Sequence, residues 1–386
     1  MTPGARVAAA IEILDMMAAG QAAEQALTRW ARSSRFAGSK DRAAVRDHVF
    51  DVVRTRRSAA ALGGGTSGRA LMIGALREAG ADIETVFDGQ GHAPAPLTAE
   101  ETTVPAMPDD LGTAWNLPDW LLPEFTRSLG ETAEATARAL QERAPVSLRV
   151  NLRKADVAAA RADLADEGVM TAPNPLAAAA LTITQGARRL RNSRAYRDGW
   201  VELQDAASQA VVEALPPGRR VLDYCAGGGG KALAIAMQDA REVFAHDIDP
   251  RRMQDLPARA ARAGARITQL ATDAVASHAP FDLVLCDAPC SGSGSWRRAP
   301  DAKWALTGER LNELTALQDS ILTTAMTLVA PGGALAYATC SVLTCENEDR
   351  IAAFLRRNAN WRQSHVRRLD VDSQGDGFFT AHLTRV

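Results

Sequence analysis

Two cysteines stand just past the ends of apolar segments that we predict to be strands. The segments are residues 281–286 and 334–338. Cys290 follows the first and Cys340 follows the second, and a cysteine thiolate can act as a nucleophile or as a metal ligand. The spacing of Cys286, Cys290, Cys340 and Cys345 argues against a metal, because Cys286 lies inside an apolar strand. We therefore expect no metal, and we expect Cys286 and Cys225 to be structural thiols.

A run of glycines between a predicted strand and a predicted helix is the second chemical feature. Four consecutive glycines, Gly227 to Gly230, precede Lys231. Glycines let backbone N–H groups approach a ligand closely, and the N-terminus of a helix favours negative charge. A nucleoside-triphosphate loop is excluded, because Cys225 occupies its first glycine position and Ala232 its final serine or threonine position.

Acidic residues near this loop distinguish between two cofactors. A dinucleotide pattern can be placed on Gly227, Gly229 and Ala232, with Asp247 at the position of a ribose-binding acid. The first three predicted strands of the region, however, also end in acids, namely Asp223, Asp247 and Asp273. One acid at each strand end suits S-adenosylmethionine, which presents an ammonium group, ribose hydroxyls and an adenine amine. The pattern therefore favours S-adenosylmethionine over a nicotinamide cofactor.

Patterns of apolar residues divide the chain into three predicted domains. The domains are residues 1–135, 140–198 and 199–386. The first is predicted to be helical with a linker, since residues such as Val45, Val49 and Val52 recur at helical spacing. The second is predicted to be a small α+β module. In the third, short apolar strands alternate with helical stretches, which is typical of a parallel sheet with helices on both faces.

The charge of the chain is close to balanced overall but is unevenly distributed. The 386 residues carry a formal net charge of −2, which argues against a strongly basic nucleic-acid-binding protein. Between Arg29 and Arg57, however, the local net charge is +6, and five arginines lie between Arg188 and Arg197. Because guanidinium groups suit phosphate and base recognition, we interpret these two clusters as candidate RNA contacts.

Three motifs carry a resemblance to a known family. They are Asp-Ala-Pro-Cys-Ser-Gly-Ser-Gly at 287–294, Arg-Arg-Ala-Pro-Asp-Ala-Lys-Trp at 297–304, and Ala-Thr-Cys-Ser-Val-Leu-Thr-Cys-Glu-Asn-Glu at 338–348. The region from about 140 to 386 resembles the RsmB/Nop (Fmu/Sun) RNA cytosine-C5 methyltransferases. The N-terminal helices are similar to the NusB-like RNA-binding domain of the RsmB branch. The implied fold is α/β: a class I S-adenosylmethionine-dependent methyltransferase with a Rossmann-like, mostly parallel, doubly wound sheet. A small α+β (RRM-like) module and an all-α NusB-like domain precede it.

The resemblance also implies roles for individual residues. Cys340 is the nucleophile that adds to carbon 6 of cytosine, and Cys290 assists removal of the carbon 5 proton and release of the product. Asp287 hydrogen-bonds the base, and Lys231 lies near cofactor and substrate. The expected cofactor-binding residues are Cys225, Ala226, Gly227, Gly228, Gly229, Gly230, Lys231, Asp247, Arg252, Asp273 and Asp287. The glycine loop departs from the family, since Gly227-Gly228 replace Ala-Pro and Ala232 replaces Thr.

The sequence leaves several functions open. We expect an RNA cytosine-5 methyltransferase that acts on an unstacked cytosine, with small-subunit ribosomal RNA favoured. A transfer RNA substrate, a non-catalytic RNA-binding or assembly protein of the same fold, and a nicotinamide-dependent oxidoreductase are the alternatives. No apolar run approaches the length of a membrane span and no leader pattern is present, so we expect a cytoplasmic protein. We also expect a monomer.

Overall fold

The computed structural model describes residues 1–238 and 241–386 in two compact units. The N-terminal unit comprises Met1–Pro123, Glu131–Arg143 and Trp296–Leu306, and the C-terminal unit comprises Glu124–Gly130, Ala144–Ser295 and Thr307–Val386. In the part of the chain described, no helix combines the length and the apolar character needed to cross a membrane.

The regular elements of the described residues are numbered here in chain order. The helices are α1 (Pro3–Ala18), α2 (Ala23–Ser33), α3 (Ser39–Arg54), α4 (Arg56–Gly63), α5 (Gly68–Glu78), α6 (Ala99–Thr102), α7 (Leu111–Ala114), α8 (Leu122–Leu129), α9 (Ala133–Gln141), α10 (Val157–Asp166), α11 (Arg194–Arg197), α12 (Ala206–Glu213), α13 (Gly230–Ala236), α14 (Leu256–Ala263), α15 (Val275–His278), α16 (Pro300–Ala305), α17 (Gly308–Ala325) and α18 (Glu348–Arg357). The strands are β1 (Ser147–Val150), β2 (Met170–Pro173), β3 (Ala180–Gln185), β4 (Val201–Leu203), β5 (Arg220–Asp223), β6 (Glu242–Ala245), β7 (Ile267–Gln269), β8 (Phe281–Asp287), β9 (Val329–Thr339), β10 (Trp361–Leu369) and β11 (Phe378–Arg385).

The N-terminal unit is helical, as its sequence pattern predicts. Val45, Val49 and Val52 recur on one face of α3 and are buried together with apolar residues of α1 and α5. Helices α4 and α5 approach closely because Gly63 and Gly74 lack side chains, and a Cβ at either position would collide with the backbone of the other helix. The all-α prediction is therefore confirmed for this unit.

The segment Trp296–Leu306 packs among the N-terminal helices although its neighbours in sequence belong to the C-terminal unit. The Trp304 indole N–H donates to the carbonyl of Val53 at 2.7 Å, and the Lys303 ammonium donates to the carbonyl of Arg54 at 3.2 Å. The Arg54 guanidinium in turn donates to the carbonyl of Arg297 at 2.8 Å. The bonds from Trp304 and Lys303 satisfy the last two carbonyl groups of α3, which a helix cannot satisfy by itself.

The C-terminal unit contains two sheets. The smaller sheet is antiparallel with strand order β2-β3-β1-β4, and α10 packs beside it. The sequence predicted β1, α10 and β3, but it did not predict β2 or β4. Strand β2 has no fully buried residue and β4 has only three residues, so neither produces a long apolar pattern.

The larger sheet has the strand order β10-β11-β9-β8-β5-β6-β7. Strands β5 to β9 pair in parallel, and their central members are continuous apolar runs because helices cover both faces. Strand β11 is antiparallel to both of its neighbours, β9 and β10. The prediction of a mostly parallel, doubly wound sheet is confirmed. The sequence did not predict strands β10 and β11. Strand β10 is largely polar and shows no apolar run.

Candidate active site

The two candidate cysteines meet at the carboxyl edge of the larger sheet. Strands β8 and β9 are parallel neighbours, and Asp287 at the end of β8 lies opposite Ala338 near the end of β9. The loops that follow both strands therefore leave the sheet side by side. As a result, the sulfur atoms of Cys290 and Cys340 lie 3.5 Å apart, within hydrogen-bond distance for sulfur.

The contact between the thiols gives the two cysteines different acidities. The hydrogen bond from the Cys290 thiol lowers the pKa of Cys340, and the nearby Lys231 ammonium acts in the same direction against burial and the Asp287 charge. The same hydrogen bond, together with burial and the negative charge of Glu346, raises the pKa of Cys290 well above its ordinary value. Cys340 is therefore the sulfur that ionises first, and Cys290 stabilises its thiolate.

Lys231 and Asp287 form a second pair at this edge. The Lys231 ammonium donates to Oδ2 of Asp287 at 2.8 Å and lies 4.9 Å from the centre of the Phe378 ring. The Lys231 side chain is 7% exposed and that of Asp287 is 32% exposed. Burial alone would lower the pKa of Lys231, but the charge and hydrogen bond of Asp287 outweigh burial and raise it. Lys231 is thus a fixed cation beside the cysteines.

Asp223, the last residue of β5, is a buried carboxyl group next to this pair. Neither of its carboxylate oxygens has a hydrogen-bond partner of ordinary geometry among the described residues. Burial, and then the negative charge of Asp287, raises the pKa of Asp223 to about 7. Because a buried polar group without a partner is costly, this carboxyl is suited to receive a donor from a ligand.

The glycine loop is held in place by Asp247. The backbone N–H of Gly227 donates to Oδ2 of Asp247 at 2.8 Å, and the Arg252 guanidinium donates to the same oxygen at 3.2 Å. Gly227 and Gly229 have φ angles of 53° and 77°, in the left-handed region that favours glycine. The aspartate therefore organises the loop and, since a carboxylate has about four acceptor positions, retains capacity for a ligand.

The other predicted cofactor-binding residues belong to the same loop or follow the neighbouring strands. The N–H of Ala226 donates to the carbonyl of His246 at 2.8 Å, while the Arg259 guanidinium donates to the carbonyl of Gly228. Burial raises the pKa of the Cys225 thiol, which agrees with a structural role. Asp273 lies exposed after β7 in the turn Thr272–Ala274, and the Arg252 side chain is exposed as well.

Several polar residues near the site were not predicted from the sequence. The Gly230 carbonyl at the start of α13 accepts hydrogen bonds from Arg149 at 3.2 Å and from Gln204 at 3.3 Å. Burial lowers the pKa of Arg149 to about 10. Glu346 and Gln318 lie buried beneath the cysteine loops. Arg149, Gln204 and Glu346 fall in stretches that carry the family resemblance, whereas no sequence signal indicated Gln318.

Comparison with protein families gives two matches along this chain. Residues 210–384 match the model of the 16S rRNA methyltransferases RsmB/F. Residues 117–188 match the model of the ferredoxin-like domain of RsmF/B-like methyltransferases. The first match contains both cysteines, Lys231 and Asp287, and the second contains most of the smaller sheet.

Curated relatives and solved structures agree with these matches. The chain is 35% identical to ribosomal RNA small subunit methyltransferase B of Citrobacter koseri over 69% of this chain and 66% of that protein. It is 34% identical to the protein of the same name from Xanthomonas campestris pv. campestris, over 74% of this chain and 70% of that protein. The crystal structure of PH0851 has a TM-score of 0.79 at 24% identity, covering 100% and 99% of the two chains. The structure of NSun6 from Pyrococcus horikoshii with SFG has a TM-score of 0.62 at 18% identity, covering 70% and 98%. The two structural likenesses concern the fold.

Proposed function

Because this chain belongs to the RsmB/F family of 16S rRNA methyltransferases, we propose that it methylates carbon 5 of a cytosine in small-subunit ribosomal RNA, with S-adenosylmethionine as methyl donor. The observation that carries this proposal is the 3.5 Å contact between Cys290 and Cys340 beside the Lys231–Asp287 pair. Carbon 5 of cytosine becomes nucleophilic only after a group adds to carbon 6, and a thiolate is suited to that addition.

The residues of the site fit the proposed methyl donor. S-adenosylmethionine supplies an electrophilic methyl group and also presents an ammonium group and hydroxyl donors. The unpartnered carboxyl of Asp223 lacks such a donor, and it ends β5 at the edge where ligands bind in sheets of this kind. The Gly227–Gly230 loop follows directly, with Asp247 beneath it. We infer that Asp223, Asp247 and the loop backbone hold the methyl donor.

Cys340 opens the proposed reaction. Its thiolate forms a bond to carbon 6 of the cytosine. The electron pair of the C5–C6 double bond shifts towards carbon 5, which becomes nucleophilic. Carbon 5 then bonds to the methyl group of the donor, while the bond between that methyl group and the sulfonium sulfur breaks and its electron pair stays on sulfur. Asp287 accepts a hydrogen bond from the amine of the base, while Lys231 keeps positive charge beside the thiolate. These fixed charges stabilise the adduct without reorganising during the reaction.

Cys290 completes the proposed reaction by changing its ionisation state. In the free enzyme its pKa is raised, first of all by the hydrogen bond with Cys340. Once Cys340 has become an uncharged thioether, that contribution disappears, so the proton of Cys290 is lost to solvent more easily than in the free enzyme. Its thiolate then takes the proton from carbon 5. The C5–H electron pair restores the ring double bond, the C6–S bond breaks, and Cys340 leaves as a thiolate.

The N-terminal unit carries a surface suited to RNA. Phe36, between α2 and α3, is 75% exposed, and four exposed cations lie near it along the chain: Arg29, Arg32, Arg35 and Lys40. Among the described residues, none of these four side chains forms an ion pair. Cations of this kind contact phosphates, and an exposed aromatic ring stacks on an unpaired base. We infer that residues 1–135 bind RNA while residues 199–386 catalyse methyl transfer on an unstacked cytosine, with the chain acting as a monomer in the cytoplasm.

The proposal is tested with purified protein and labelled S-adenosylmethionine. Three substrates are offered separately: free 16S ribosomal RNA, intact small ribosomal subunits and total transfer RNA. We expect label in the 16S ribosomal RNA, and bisulfite sequencing should locate it at one cytosine. Methylation of transfer RNA alone would overturn the ribosomal substrate. Absence of S-adenosylmethionine binding in a calorimetric titration would favour a non-catalytic RNA-binding protein.

A further inference from the structure

Glu346 is a fully buried acid whose carboxylate lies between the two cysteine loops. Its Oε1 accepts hydrogen bonds from the backbone N–H of Ser291 at 2.7 Å and from the Gln318 amide at 3.1 Å. Its Oε2 accepts hydrogen bonds from the hydroxyls of Ser291 at 2.5 Å and Ser341 at 2.6 Å. All four donors are uncharged, so the carboxylate is held by directed hydrogen bonds.

The donors on Glu346 come from the residues adjacent to the two thiols. Ser291 follows Cys290, and Ser341 follows Cys340. One carboxylate therefore connects both loops, each within one residue of a reacting sulfur. Because hydrogen bonds to a charged acceptor are short and strong, this bridge restricts the separation of the loops more than contacts between neutral groups would.

Neighbouring groups fix Glu346 itself in place. The Tyr337 hydroxyl donates to the backbone carbonyl of Glu346 at 2.7 Å. Gln318, on α17, donates through the same amide nitrogen to the carbonyl of Pro289 at 2.9 Å. The carboxylate is thus anchored to strand β9 and helix α17, and both cysteine loops are positioned against a rigid part of the fold.

We propose that Glu346 is a positioning residue that holds the Cys290 and Cys340 thiols in contact. This inference rests on the proposed function only in the sense that the two thiols act together in one reaction. A carboxylate suits this position because each of its oxygens accepts two hydrogen bonds. A glutamine can preserve the arrangement, since its amide oxygen can face the Ser291 N–H while its NH₂ donates to serine hydroxyls that rotate to accept. An alanine cannot.

The first experiment measures thiol contact without RNA or methyl donor. Diamide, whose azo group takes up two electrons and two protons, converts the Cys290 and Cys340 thiols to a disulfide. The rate is followed by mass spectrometry of the non-reduced peptides. We expect Glu346→Ala to slow this rate at least about tenfold, because small displacements of reacting groups are costly. Glu346→Gln should remain within about threefold of the wild type.

Two further variants complete the test. Glu313→Ala removes an exposed glutamate from α17 and should leave the disulfide rate unchanged. Ser341→Ala removes one of the four hydrogen bonds and, if Glu346→Ala does not fold, should still slow disulfide formation measurably. Equal rates for wild type, Glu346→Ala and Ser341→Ala would overturn the positioning role. Because the readout needs no methylation, an inactive wild type would contradict the proposed function and not this inference.

With the RNA substrate, a positioning role also predicts a specific kinetic signature. Glu346→Ala should lower kcat and prolong the covalent RNA adduct, since Cys290 no longer reaches the carbon 5 proton, while KM for S-adenosylmethionine stays unchanged. A purely structural role would instead lower the melting temperature and the fraction of active protein, with an unaltered adduct lifetime. That second outcome would overturn the inference.

Discussion

The sulfur atoms of Cys290 and Cys340 lie 3.5 Å apart, although 50 residues separate them in the sequence. The contact joins the ends of two neighbouring parallel strands, β8 and β9. It lets one thiol donate to the thiolate of the other, so the two cysteines are not equivalent. Their different acidities support the proposal that Cys340 is the nucleophile and that Cys290 takes part in the later proton transfer.

The first prediction separates the roles of the two cysteines. Cys340→Ala should abolish methylation and any covalent RNA adduct, because the thiolate that adds to carbon 6 is absent. Cys290→Ala should accumulate an adduct that resists denaturing electrophoresis, because the carbon 5 proton is no longer removed. Cys345→Ala is the matched control, since it removes a thiol of the same loop that contacts Glu124 instead of the cysteine pair. An adduct with Cys340→Ala and none with Cys290→Ala would reverse the assignment.

The second prediction concerns the Lys231–Asp287 pair. Asp287→Asn preserves the shape of the side chain but removes the negative charge that holds Lys231, so we expect kcat to fall by about 10²–10³-fold. The measurement is single-turnover methylation at saturating S-adenosylmethionine. Asp282→Asn, at the other end of the same strand, is the control. It also removes a carboxylate charge, but this side chain accepts hydrogen bonds from the backbone N–H groups of Arg219 and Arg220 and not from Lys231. A loss below threefold for Asp287→Asn would remove Asp287 from the reaction.

The third prediction is a pH dependence of methyl-donor binding. Because the pKa of Asp223 is raised to about 7, this carboxyl is protonated at lower pH and ionised at higher pH. An ammonium or hydroxyl donor binds better to the ionised form, so the affinity for S-adenosylmethionine should rise as the pH increases from about 6 to 8. Calorimetry across this range measures the change. Asp223→Asn should bind more weakly at pH 8 and show little dependence on pH.

A variant series without that pH trend would contradict the role of Asp223. If wild type and Asp223→Asn gave parallel affinity profiles, another group would control binding. Asp282→Asn is the control, because its side chain accepts hydrogen bonds from the backbone N–H groups of Arg219 and Arg220 and does not belong to the predicted cofactor-binding residues, so it should not alter the pH profile.

The fourth prediction tests the RNA surface of the N-terminal unit. Phe36→Ala should weaken RNA binding about tenfold, consistent with the loss of one stacked base. Arg32→Gln and Arg35→Gln should weaken binding and reduce its dependence on salt, because fewer phosphates are neutralised. Val104→Ala, which removes an exposed aliphatic side chain from the same unit, should bind normally. Equal affinities for Phe36→Ala and Val104→Ala would exclude base stacking at Phe36.

The fifth prediction concerns stability and Lys303. Burial, and then the charge of Arg54, lowers the pKa of Lys303 to about 7. Between pH 7 and pH 10 the unfolded chain therefore binds more protons at this lysine than the folded chain, so stability should rise with pH in this window. Lys303→Met should flatten that rise. The exposed Lys40→Met variant should retain it.

Urea unfolding followed by tryptophan fluorescence measures this effect. Five of the seven tryptophans lie in the N-terminal unit and report mainly on it: Trp30, Trp115, Trp120, Trp296 and Trp304. An unchanged pH slope in Lys303→Met would show that the lysine keeps its proton in the folded protein across this window, and would contradict the lowered pKa.

The sequence alone determined the features that depend on local order. Residue types at fixed short spacing predicted the glycine loop before α13, the helices of the N-terminal unit and the cysteines after β8 and β9. These predictions succeed because helix periodicity, glycine backbone freedom and the position of a residue after an apolar strand are properties of neighbouring residues.

The tertiary structure alone decided which distant residues meet. The register that places Asp287 opposite Ala338 brings the two thiols together, and the pairing of β5 with β8 lets Lys231 reach Asp287 across 56 residues. The bridge through Glu346 and the packing of Trp296–Leu306 among the N-terminal helices likewise gave no local signal. The physical reason is that strand register and side-chain packing are set by contacts between segments far apart in sequence. A composition or spacing pattern records which groups are available, and the folded sheet determines which of them share a site.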